Sequence, residues 1–140
     1  IWFIRPENDS DSRMVGKLIS TVSGMLKYID YDSEIDEDIF DFPDGAGIHL
    51  KKQIYLILKE SLQNIIKHSG ATAVKVAIKR SGNSLSLIVE DNGTGFNTMV
   101  ESERNGMANM KKRAFDIGGE LEVVSAPGEG TRVSLVIEIT

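Results

Sequence analysis

Glu60 and Asn64 stand one helical turn apart in Lys59-Glu60-Ser61-Leu62-Gln63-Asn64. On a helix that spacing puts a carboxylate and an amide oxygen on one face. Magnesium takes oxygen ligands, keeps several waters, and is usually held by one or two protein groups together with phosphates. The Asn64 carbonyl oxygen suits that role, and Glu60 can orient a metal-bound water or act as a base. Lys67 and His68 come about one turn later, where Lys67 can meet a phosphate. A solvated helix edge carries the same residue types, so Glu60 or Asn64 alone reads as structural. His68 alone reads as a helix-end residue.

The second group is Asp91-Asn92-Gly93-Thr94-Gly95. A carboxylate at a strand end can accept a hydrogen bond from an exocyclic amino group, as adenine presents. Gly93 and Gly95 permit close approach and positive φ. A turn between elements explains the segment equally well by itself. It is not a Walker loop, because no Gly-Lys-Ser/Thr follows. It is not an EF-hand loop, because the regular acidic ligands and the terminal glutamate are missing. Further on, Asn105-Gly106-Met107 opens a helix whose free amides and positive dipole end can receive phosphates. Gly128, Gly130 and Thr131 punctuate the last hairpin, where Thr131 can hydrogen-bond a ligand. Lys111-Lys112-Arg113 reads as a solvated helix face, and Met25, Met107 and Met110 read as core.

The elements that must position these residues follow from hydrophobic periodicity. Pro6 and the polar run Glu7–Ser12 form a hinge, with Asp11 or Ser12 capping a helix from about residue 12 to about residue 29. Its stripe is Val15, Leu18, Ile19, Val22, Met25, Leu26 and Ile29. An acidic stretch then holds a short strand, Ile39–Phe42, ended by Pro43-Asp44-Gly45. Leu50, Ile54, Ile57, Leu58, Leu62, Ile65 and Ile66 form the stripe of a second helix, stopped at Gly70. Val74, Val76 and Ile78, then Leu85, Leu87 and Val89, alternate with polar or small neighbours around Gly82-Asn83, which predicts an antiparallel hairpin. Residues 97–105 read as a mobile loop ahead of a short third helix through Met107, Met110, Ala114 and Ile117. Strands Leu121–Val124 and Arg132–Ile139 close the chain. The expectation is an α+β protein: a two-layer α/β sandwich with a mixed, mostly antiparallel sheet and helices on one face. It is not the regular alternation of a Rossmann domain.

The chain has 140 residues, 41% of them hydrophobic and 26% charged, which suits one ordinary globular domain. A net charge of −5 argues against a general nucleic-acid binder. Without cysteine there are no disulfides or thiolate metal sites, and His49 and His68 are too isolated for zinc. No apolar run reaches bilayer length, so no membrane contact is expected of this chain. The opening Ile1-Trp2-Phe3-Ile4, without Met, reads as the cut end of something longer.

Together these segments resemble the catalytic, ATP-binding domain of two-component sensor histidine kinases, within the superfamily that also holds gyrases, heat-shock chaperones and mismatch-repair ATPases. Glu60–Ser69 resembles its N box, Asp91–Phe96 its first glycine box, Asn105–Arg113 its second, and Gly128-Glu129-Gly130-Thr131 its terminal glycine-threonine motif. The likeness runs over nearly the whole chain and is greatest to the subfamily of nitrate and lipid-fluidity sensors. It implies a Bergerat fold over residues 12–140, with residues 1–11 a linker remnant from absent dimerisation helices. It implies ATP and Mg2+ as cofactors. Asn64 would hold the metal, Glu60 assist at metal and phosphates, and Lys67 and His68 neighbour the phosphates. Asp91 would read the adenine amino group, with Gly93 and Gly95 shaping the pocket and Thr131 supporting the base. Residues 97–105 would form a lid, with Gly106 and Met107 flanking phosphates and base. The second box departs from the usual Gly-x-Gly: Arg104 takes the first glycine position, and Met107 replaces leucine.

The implied reaction is delivery of the γ-phosphate to a histidine on a dimerisation domain outside this chain, then to a response regulator. The implied parent is a homodimeric, inner-membrane-anchored bacterial sensor with this domain in the cytoplasm. The alternatives are an anti-sigma-factor serine kinase of the same superfamily and a degenerate, non-catalytic nucleotide-binding or interaction domain.

Overall fold

The structure is a computed structural model. It describes residues 6–95 and 101–139, with the side chains of 6–10, 68, 69 and 101–106 outside the description. The elements run α1 (Pro6–Met25), β1 (Asp30–Ile35), α2 (Ile48–Asn64), a π-helical turn (Ile65–Ser69), β2 (Ala73–Ser81), β3 (Ser84–Asp91), α3 (Glu101–Asp116), β4 (Gly119–Ser125) and β5 (Thr131–Glu138). The strands form one sheet in the order β1-β2-β3-β5-β4. Among the described residues only β1 pairs in parallel, with β2, and every other pairing is antiparallel. The expected mixed, mostly antiparallel α+β sandwich is therefore the observed fold.

The alternation of the strands decides which sheet face is covered. Val74, Val76, Ile78, Leu85, Leu87, Val89, Leu135 and Ile137 are buried and join one core with Val15, Leu18, Val22, Ile54, Ile57, Leu58, Leu62 and Ala114 of the helices and with Leu26 just past α1. On the other face Lys75, Lys79, Glu90, Arg132, Val136 and Glu138 are exposed. One face packed and one solvated is what antiparallel alternation produces. The central strand β3 carries Leu85 and Leu87, both fully buried. Full burial of such a side chain contributes about 2 kcal/mol.

Three expectations are corrected. The first helix begins at Pro6, not near residue 12, and ends at Met25. Proline is well suited to a first helical position, because its missing N–H would be unpaired there anyway. Asp11 is therefore inside the helix rather than at its cap, and its carboxylate pairs with Lys51 of α2. The short strand is Asp30–Ile35, not Ile39–Phe42. β1 is an edge strand with mostly exposed side chains, so it carries no hydrophobic alternation to betray it. Ile39, Phe40 and Phe42 are buried, but as plugs in a turn-rich segment. That segment is tied to β2 by the Asp36 N–H to the Ile78 carbonyl at 3.1 Å and by the Arg80 guanidinium 4.9 Å from the Phe42 ring centre.

The third correction concerns α3, which begins at Glu101. Residues 101–105 are thus helical, while 97–100 of the expected lid lie outside the described residues. Gly106 and Met107 lie inside α3 rather than at its opening, so their amides are not the free amides of a first turn.

Candidate functional site

Asp91 ends β3 opposite Val74 of β2 and Thr131 of β5. It is 7% exposed. The Gly93 N–H donates to its Oδ1 at 2.7 Å. Burial raises the Asp91 pKa, and the backbone N–H groups of Gly93 and Thr131 oppose that rise. The adjacent Glu90 charge adds to it. A buried carboxylate with two backbone donors is oriented rather than mobile, and its remaining lone pairs can serve a ligand donor.

Two turns interlock beside it. Gly95 and Gly130 both have positive φ, at 66° and 74°. A Cβ on Gly130 would collide with the Asp91 carbonyl oxygen, and one on Gly95 with the Ala126 carbonyl oxygen. The Gly128 N–H also donates to the Thr94 carbonyl. Gly95 and Gly130 are therefore required by close backbone approach. Gly93, in contrast, lacks positive φ and contributes through its N–H. Thr131 is half-buried, with its hydroxyl 2.8 Å from the Ser125 hydroxyl.

Asn92 has a role that sequence reasoning missed. Its Oδ1 accepts from the Thr72 and Ala73 N–H groups, both at 2.9 Å, and its amide donates to the Thr72 hydroxyl at 3.0 Å. Thr72 and Ala73 lie just past the π-helical turn, after Gly70 and Ala71, where β2 begins. Asn92 therefore ties the exit of the Asn64 helix to the Asp91 turn. The signal was an amide beside an acid in a tight turn, where Asn commonly bonds backbone.

Asn64 is the last residue of α2, half-buried, and the π-helical turn starts immediately after it. Such turns are rare and recur at functional sites. Lys67 is exposed within it. His68 has its backbone in the same turn, while its side chain lies outside the described residues. The wider turn also rotates Ile66 out of the stripe, leaving it 48% exposed while Ile65 is 5% exposed.

Glu60 lies one turn before Asn64, partly buried, with its Oε2 3.9 Å from the Nε of Arg113. Arg113 is half-buried rather than solvated, and its Nη1 donates to Gln53 Oε1 at 3.2 Å. Its expected place on a free helix face is thus corrected: α3 packs on α2, and a polar cluster sits in the seam. Met110 is buried there too, accepting the Ser61 hydroxyl at 3.5 Å. Met107 is buried on the same helix. The structure gathers Asp91, Gly93, Gly95, Gly130 and Thr131 at one end of the sheet. Asn92 joins them to the segment carrying Asn64 and Lys67.

The profile of the histidine kinase-, DNA gyrase B- and HSP90-like ATPases matches residues 49–140. The sensor protein VraS of Staphylococcus haemolyticus is 35% identical over 73% of this chain and 29% of its own length. The sensor histidine kinase LiaS of Bacillus subtilis is 36% identical over 76% of this chain and 29% of its own length. The chain thus spans less than a third of these curated relatives. Among solved structures, the histidine kinase domain of the Erythrobacter litoralis EL346 blue-light activated histidine kinase superposes with a TM-score of 0.73 at 21% identity. That match covers 89% of this chain and 60% of that one.

Proposed function

Because the chain belongs to the family of histidine kinase-, DNA gyrase B- and HSP90-like ATPases, we propose that it binds Mg-ATP as the catalytic domain of a longer sensor histidine kinase. There it supplies the γ-phosphate to a histidine on a dimerisation domain, and a response-regulator aspartate receives the group next. The observation that carries this reading is the buried, backbone-oriented Asp91 carboxyl beside the Gly95–Gly130 contact.

Asp91 accepts the adenine amino group, Gly93 and Gly95 shape the base end, and Thr131 supports the base from β5. Met107 and Gly106 flank base and phosphates from α3. Lys67 and His68 neighbour the phosphates. Asn64 would hold magnesium through its amide oxygen, with Glu60 orienting a bound water. The donor set fits such an ion: a half-buried amide oxygen and a partly buried carboxylate, with no cluster of three acidic, imidazole or thiol groups among the described residues. That suits a cation shared with phosphates rather than caged by protein. When bound, magnesium neutralises charge on the transferring phosphates. What these residues supply is position and charge, with no covalent intermediate in this domain.

No helix among the described residues is long and apolar enough to cross a membrane. We place the domain on the cytoplasmic side of an inner-membrane-anchored, homodimeric parent, with residues 1–11 leading from its dimerisation helices.

Titration of the chain with Mg-ATP tests the site. Wild type binds saturably, and Asp91→Asn weakens binding by about tenfold to a hundredfold, the loss of a charge-assisted hydrogen bond. Equal binding by the variant rejects the assignment, and no saturable binding by wild type favours a degenerate interaction domain. Phosphorylation of a longer form of the protein on its own histidine supports the kinase reading. Transfer instead to a partner's serine favours the anti-sigma-factor alternative.

A further inference from the structure

The seam between α2 and α3 holds a polar arrangement that the reading above does not use. Gln53 is buried at 8% exposure, and its Oε1 takes the Nη1 hydrogen of Arg113 at 3.2 Å. The Arg113 Nε is fully buried and makes no hydrogen bond to any described residue. The Glu60 carboxylate lies 3.9 Å away from it. That distance is an ion pair but too long for a hydrogen bond. A buried donor without an acceptor is costly, so the Nε–H is drawn toward this anion. A displacement on the order of 1 Å completes the bond.

The helix that carries Arg113 also carries Met107 and Gly106. The six-residue step from Met107 to Arg113 spans roughly 9 Å of one helix. A stiff helix moved at the first position also moves at the second. Glu60, on α2, is the carboxylate read above as acting at metal and phosphates.

We propose that Arg113 is a positioning residue for Glu60. Gln53 anchors the guanidinium, and the Nε–H closes onto Glu60 when nucleotide engages α3. The carboxylate is then held oriented toward the phosphate end. Through this contact α3 reports nucleotide engagement to the metal end of the site. The proposal rests on the Mg-ATP reading, and in particular on the role given to Glu60.

A double-mutant cycle on the chain tests it, with Mg-ATP and Mg-ADP affinities measured for wild type, Arg113→Met, Glu60→Gln and the double variant. Arg113→Met is expected to weaken Mg-ATP by about fivefold, the scale of a partly screened ion pair. Mg-ADP should change by less than about twofold on the same scale, since Glu60 acts at the terminal phosphate and metal. The Arg113 effect should vanish in the Glu60→Gln background. An equal loss for ATP and ADP, or full additivity with Glu60→Gln, overturns the proposal and leaves Arg113 as packing. A Glu60→Gln variant that binds Mg-ATP like wild type overturns the role of Glu60 itself, a separate signature. Should Arg113→Met fail to fold by circular dichroism, Arg113→Gln, which keeps a donor for Gln53, carries the same cycle and the same expected pattern.

Discussion

Burial and hydrogen bonding act against each other at Asp91. Desolvation raises its pKa, and the Gly93 and Thr131 N–H groups only partly offset that. The folded protein thus binds a proton at Asp91 more readily than the unfolded chain does. Asp91 therefore favours the fold while protonated, and that contribution is lost as pH rises through its raised folded value. In denaturant titrations across the acid to neutral range, Asp91→Asn should flatten this part of the pH dependence. At neutral pH the variant should be as stable as wild type or more so, even while its nucleotide binding falls. A variant clearly less stable than wild type at neutral pH would show that the carboxylate's hydrogen bonds outweigh its desolvation. Stability set against recognition is the pattern expected where a charge is buried for function. The motif made Asp91 a candidate from sequence. Its burial was not legible there, because it depends on β5 and the 125–131 turn folding over it.

Among the elements, the β4–β5 turn and the Asp91 turn are held by backbone contact rather than by side chains. Gly128 and Gly130 both have positive φ, at 81° and 74°. An added Cβ at Gly128 meets open space, whereas at Gly130 it strikes the Asp91 carbonyl. Alanine at Gly128 should therefore cost about 1 kcal/mol, the strain of φ alone. At Gly130 it should cost about 3 kcal/mol and weaken nucleotide binding as well. Urea denaturation of the two variants measures the difference, and equal losses would mean that the turns do not interlock. From sequence, both glycines are simply turn residues. Which one lies under another backbone is a tertiary fact. Local reading failed for the same reason at β1, whose exposed side chains carry no alternation, and at Arg113, whose Lys-Lys-Arg context resembles a solvated face.

At the scale of the whole molecule, one sheet face carries the core and the other faces water. Leu87 is fully buried on the covered face, and Val136 is 48% exposed on the open one. Leu87→Ala should lose about 2–5 kcal/mol, the removed transfer energy plus the cavity left behind. Val136→Ala should stay within about 1 kcal/mol, as expected for a side chain with little packing to lose. Equilibrium unfolding of both checks the contrast. A large loss at Val136 would place an additional layer on the open face.

The sequence by itself determined the amphipathic stripes of α1 and α2, the β2–β3 hairpin, the mixed α+β class and the residue types gathered for chemistry. These are local patterns, written in spacings of two, three and four residues that the backbone reads directly. Only the tertiary structure decided that β1 lies at Asp30–Ile35, that α3 reaches back to Glu101, that Asn92 fastens Thr72 and Ala73 beneath Asp91, and that Arg113 faces Glu60 across a helix seam. Each of these joins residues far apart in the chain or depends on what packs against a surface. Such choices are set by which faces are covered and which donors remain buried, and no local periodicity encodes them.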